Sequence, residues 1–132
     1  MARIAHAVAT SSGGYGLKIR TARHELTADE PPSNGGTDTG PAPYALLLSS
    51  LGACTSITLR MYGDHKGWTL GEIKVDLSMI KEGESELIER EVRFSAPLSD
   101  EQRARLLEIA EKTPVTKTLR QGVRIETQIR GR

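Results

Sequence analysis

The chain has 132 residues, with 18 basic against 17 acidic, one cysteine and only 4% aromatic residues. That length fits a single domain, residues 1–132, with room for a core. A formal charge of +1 gives no long-range field to draw nucleic acid or an anionic membrane. Few aromatics leave no platform for stacking bases. One cysteine forms no internal disulfide and completes no zinc set, and His6, His24 and His65 lack metal-ligand spacing, so no metal or other cofactor is implied. The start, MARIAHAVAT, lacks the apolar region of a secretory signal, and the longest apolar run is too interrupted to span a bilayer. The expected compartment is the cytoplasm, where a thiol stays reduced.

In chain order, Arg3 to Thr10 and Tyr15 to Thr21 flank Ser11-Ser12-Gly13-Gly14 and read as a hairpin, with a third strand from Arg23 to Ala28. Pro31 to Pro43 is rich in Pro, Gly and Asn and reads as a loop, either a solvated connector or a rim to a site. A helix follows from about Pro43 to Tyr62, with Gly63 as its cap. From Tyr44 to Leu51 it has no charged face, so it is expected to be buried. Ile73 to Met79 alternates strictly as a strand, and Glu86 to Ser95 follows with Ile88, Arg90, Val92 and Phe94 in one phase. An arginine in that phase needs a partner or a route to water, so it stands at a bulge or edge or is part of a site. Ser99 opens an amphipathic helix that ends before Pro114, and Pro114 to Arg120 has room for one or two further turns. Val123, Ile125, Thr127 and Ile129 alternate as a last strand. The order is βββ-α-ββ-α-β, an α+β fold with antiparallel sheets. A helix with no polar face is hard to hide in one domain of this length, so two chains are expected to interlock around it.

Cys54 lies near the middle of that helix, with Leu47, Ser50, Leu51, Ile57, Thr58 and Met61 one or two turns away. A lone cysteine on such a face is most often a small hydrophobe filling a gap. The pattern around it changes the reading. The run GPAPYALLLSSLGACTSITLRMYGDHKGW, the preceding HELTADEPPSNGG and the later AEKTPVTKTL resemble the OsmC/Ohr family of small thiol-dependent hydroperoxide reductases, in its OsmC-like branch. The resemblance covers nearly the whole chain. It implies an intertwined homodimer with antiparallel sheets around buried central helices and a site at the subunit interface.

By the same resemblance, Cys54 is the cysteine that attacks the peroxide. The family's second cysteine, which resolves the first, falls at Thr113, and the family glutamate near the helix start falls at Tyr44. An arginine from the N-terminal sheet matches either Arg20 or Arg23. Tyr44, Leu47, Ser50 and Thr113 are the implied substrate contacts. A thiol reduces a peroxide only as thiolate, and desolvation opposes its ionisation, so a cation has to stand by the sulfur. An arginine suits that role best. The expected function is a one-cysteine reductase of organic hydroperoxides in oxidative stress defence, recycled by an external thiol reductant. The alternatives are a non-catalytic protein that binds a small apolar molecule at the dimer interface, and a thiol-based oxidant sensor.

Overall fold

The structure is a computed structural model in which residues 1–131 are described. It comprises two compact units, Met1–Ser49 and Ser50–Arg132.

In the first unit, β1 (Val8–Thr10), β2 (Leu17–Thr21) and β3 (His24–Ala28) form an antiparallel sheet in the order β1-β2-β3. Val8 lies opposite Arg20 and Leu17 opposite Ala28, so the expected hairpin and third strand are both present, with β1 shorter than the pattern suggests. The Pro- and Gly-rich stretch after β3 is not a loose connector. Asp29 is buried, and its carboxylate accepts from Thr39 Oγ1 (2.7 Å), Thr37 Oγ1 (2.9 Å), Thr39 N (3.1 Å) and its neighbour Glu30 N (2.7 Å). These donors, the Thr39 hydroxyl foremost, hold the carboxyl well below the usual carboxylate range. Asp29 N donates in turn to Pro41 O at 3.1 Å, which draws the far end of the loop back. A Cβ on Gly36 would collide with the Glu30 carbonyl, so only glycine allows that approach.

Helix α1 runs over Pro43–Lys66, starting at a proline that has no helical N–H to lose. It is one turn longer than the sequence suggests. Gly63 does not cap it: a Cβ there would lie 2.5 Å from Leu70 Cδ1, so that glycine is needed for close packing. The left-handed cap falls to Gly67, with φ of 72°.

In the second unit, β4 (Ile73–Glu82) and β5 (Ser85–Phe94) form an antiparallel hairpin, paired without a bulge from Ile73 opposite Phe94 to Glu82 opposite Ser85. Helix α2 (Asp100–Ala110) opens with a full capping box, Ser99 Oγ accepting from Gln102 N while the Gln102 side chain accepts from Ser99 N. Helix α3 (Pro114–Gln121) confirms the extra turns after Pro114. The core comprises Leu59, Leu70, Leu106 and Ala110, walled by Tyr62, Trp68, Ile73, Val92, Phe94, Leu98 and Ile109. Trp68 meets Tyr62 edge-on at 5.6 Å.

One expectation is corrected. No strand forms over residues 123–130, and Val123, Ile125 and Ile129 are exposed. Alternation gives a segment the side chains of a strand, but the ladder needs a neighbour, and none of the described strands pairs with it. Within one chain, helix α1 is enclosed on one side. It buries Leu51, Thr55, Leu59 and Gly63 and leaves Tyr44, Ile57 and Met61 exposed.

Candidate active site

The two faces of α1 decide where the cysteine stands. Leu51, Thr55, Leu59 and Gly63 recur every four residues and form the buried stripe. Leu47, Ser50, Cys54, Ile57 and Met61 form a second stripe, centred roughly 140° round the axis from the first at 100° per residue. Cys54 is a free, half-buried cysteine on that second face. Ile57 and Met61, one and two turns on, are 56% and 67% exposed. An apolar and largely uncovered helix face therefore surrounds the only sulfhydryl.

Behind the cysteine, on the inward face, lies a polar network that the sequence only hinted at. Arg90 projects from the inner face of β5 with its side chain just 12% exposed. Its Nη1 donates to Thr55 Oγ1 and to Thr116 Oγ1, both at 2.9 Å, and its Nη2 donates to Ala110 O (3.0 Å) and Glu111 Oε2 (3.3 Å). Thr55, fully buried, donates its own proton to Leu51 O at 2.7 Å. Thr116 Oγ1 lies 2.6 Å from Thr113 Oγ1, and Arg120 closes the outer side on Glu111 Oε2 at 2.6 Å. No buried side-chain nitrogen or oxygen among the described residues lacks a partner. The guanidinium thus ties β5, α1, the end of α2 and the start of α3 together. Arg90 stands at no bulge; it lies on a strand of a two-stranded sheet and has partners for its guanidinium.

The other candidates fall as follows. Thr113 is fully buried as the N-cap of α3, its hydroxyl accepting from Thr116 N and paired with the Thr116 hydroxyl. It joins the Arg90 network and so connects, through Thr116 and Arg90, to the residue next to Cys54. Tyr44, Leu47 and Ser50 share α1 with Cys54, with Tyr44 on the exposed first turn. Arg20, on β2, is exposed and pairs with Glu25 across the sheet at 3.4 Å, while Arg23 sits in the turn between β2 and β3. Both arginines belong to the first unit and Cys54 to the second. Among the described residues no cluster of His, Cys, Asp and Glu is arranged to hold a metal ion. None of the described helices is long and apolar enough to cross a membrane.

A family model described as OsmC-like protein matches residues 36–128. The chain belongs to the OsmC-like family. Solved structures agree on the fold. An OsmC-like protein from Mycoplasma pneumoniae superposes with a TM-score of 0.72 at 18% identity, over 91% of this chain and 89% of that one. An organic hydroperoxide resistance protein OsmC from Legionella pneumophila gives 0.68 at 18% identity, over 89% and 90%. A Vibrio cholerae protein ascribed to organic hydroperoxide resistance, with captopril bound in one of its active sites, gives 0.64 at 23% identity, over 91% and 88%. A search of curated proteins finds no sequence match. At these identities the likeness shows the OsmC-like fold, an α+β architecture with two antiparallel sheets, and not an activity.

Proposed function

We propose that this OsmC-like protein reduces organic hydroperoxides with Cys54 as its nucleophile. The observation that carries the proposal is the placement of the free thiol on the apolar outer face of α1, half-buried, where an oily peroxide can rest against Leu47, Ile57 and Met61. The Cys54 thiolate attacks the peroxide, the O–O bond breaks, an S–O bond forms, and the alkoxide takes a proton and leaves as the alcohol. With one cysteine per chain, an external thiol then displaces water from the sulfenic acid to give a mixed disulfide. A second external thiol releases Cys54 and carries away the disulfide. The reducing cytoplasm supplies such thiols. Arg20 or Arg23 supplies the cation for the thiolate. Arg20 makes an exposed ion pair with Glu25, which solvent screens and which is readily given up. Tyr44, Leu47 and Ser50 line the substrate's approach, and Thr113 supports the site from within through its cap.

The protein works as a homodimer in this reading. Tyr44, Ile57 and Met61 on α1 and Val123, Ile125 and Ile129 in the tail are each exposed, apolar side chains that a second copy would cover. The β4–β5 hairpin holds two ten-residue strands with no third strand among the described residues. A partner's alternating tail would extend it by strand addition.

The test is consumption of cumene hydroperoxide with dithiothreitol by wild type and Cys54→Ser. Turnover by wild type, absent in Cys54→Ser, supports the proposal; equal consumption by both removes it. Saturable binding of the peroxide by wild type without turnover would leave the ligand-binding alternative in its place.

A further inference from the structure

We infer that Arg90 is a positioning residue that sets the rotation of α1 and thereby decides which way Cys54 faces. The inference rests on the reading of Cys54 as the reactive group. A helix that is apolar round most of its circumference fixes its rotation poorly by packing alone, because several faces are nearly as good to bury. Leu47, Ile57 and Met61 offer about as much apolar area as Leu51 and Leu59, and the close approach of Gly63 to Leu70 lies two turns beyond Thr55, towards the C-terminal end of the helix. A buried polar contact discriminates more sharply, since in the wrong rotation it leaves donors and acceptors unmet. On the inward face of α1 in the second unit, the Thr55 hydroxyl takes such a contact from the Arg90 guanidinium. Arg90 cannot readily follow a turning helix, because its other donors are committed to Thr116, Ala110 O and Glu111. Turning α1 by one residue in either direction would take the hydroxyl away and bring Cys54 or Ser56 towards the guanidinium. The bond from Arg90 to Thr55 therefore holds the next residue back, Cys54, on the outer face.

The experiment compares Thr55→Val, Thr55→Ser and Thr116→Val with wild type. Each is assayed well below its own unfolding midpoint, for the rate of Cys54 alkylation by iodoacetamide and for the kcat and KM of peroxide reduction. Thr55→Val nearly keeps volume but removes the acceptor. Its alkylation rate and kcat are expected to fall about tenfold, the population change that one hydrogen bond to a charged group can sustain. Thr55→Ser, which keeps the hydroxyl, is expected to restore both. Thr116→Val removes a different acceptor of the same guanidinium without touching α1, and is expected to leave the Cys54 rate within about twofold of wild type while lowering stability by a similar amount. Equal rates for Thr55→Val and wild type overturn the inference, as does a Thr116→Val effect as large as that of Thr55→Val. Should Thr55→Val fail to fold, Arg90→Lys replaces it. A lysine keeps the charge but not the fork, and a wild-type alkylation rate in that variant would overturn the inference equally. Alkylation needs no peroxidase turnover, so a failure of the enzymatic reading is visible separately as absent kcat with the alkylation pattern intact.

Discussion

Replacing Gly63 with alanine tests the rotational setting of α1 through stability alone. At an exposed helix position the change would stabilise, because alanine forms helix better than glycine by about 1 kcal/mol. Here the added Cβ would stand 2.5 Å from Leu70 Cδ1, 2.8 Å from Cγ and 3.5 Å from Cδ2. Leu70 cannot swing aside freely, being 1% exposed and packed in the cluster with Leu59 and Leu106. Forcing extra volume into a filled core costs about 1–3 kcal/mol, and pushing a leucine off its rotamer adds about 1 kcal/mol. The net expectation is a loss of about 1–3 kcal/mol, read as a thermal midpoint lower by about 3–12 °C in a chain of this size. Gly52→Ala is the comparison. Its Cβ would meet one atom, Leu77 Cδ1, at 3.0 Å, so a small shift accommodates it and the midpoint stays near wild type. Differential scanning calorimetry on both variants reads the difference. A Gly63→Ala midpoint above wild type would mean that this face of α1 does not lie against Leu70, and the outward placement of Cys54 would lose its support.

The Asp29 staple predicts a pH dependence. Its folded carboxyl titrates well below the ordinary value of 3.8, so the stabilisation is fully present above pH 3.8 and is lost as pH falls towards the folded value. In thermal melts the gap between wild type and Asp29→Asn is therefore expected to be constant from pH 5 to 8 and to narrow below about pH 4; a gap that closes already at pH 6 would contradict the staple. Ser99→Ala removes the N-cap of α2 and half of its capping box, with an expected loss of about 1 kcal/mol in urea denaturation and an unchanged m-value. Ile57→Lys or Met61→Lys places a charge on the exposed apolar face and is expected to turn the proposed dimer into monomer in sedimentation velocity. A variant that stays dimeric would move the interface elsewhere.

Much of the fold was legible because it rests on local signals. The alternation of Ile73 to Met79, the Ser99 cap and the proline at the start of α1 each name an element by a period or a cap that needs no distant partner. The end of α1 was misplaced because glycine serves two purposes, and nothing local tells a cap at Gly67 from a close approach at Gly63. The tail's alternation was read as a strand, but pairing is a non-local event: none of the described strands pairs with it, and these side chains end up exposed. In the candidate site, the helix and Cys54 could be read from the apolar run, and Arg90 stood out by its phase. Thr55 and Thr116, its buried acceptors, gave no such sign, since a threonine in a helix looks the same whether it binds its own carbonyl or an arginine from a strand. The capping of α3 by Thr113 was foreshadowed by the proline that follows it.

The most direct measurement is a single turnover. One equivalent of cumene hydroperoxide is added to the reduced protein without any external thiol, the product is trapped with dimedone, and the intact mass and the released alcohol are measured together. The account predicts one alcohol per chain and one dimedone adduct, located on Cys54, with neither in Cys54→Ser. Unmodified Cys54 beside unconsumed peroxide would contradict it, as would alcohol release at the same rate from Cys54→Ser.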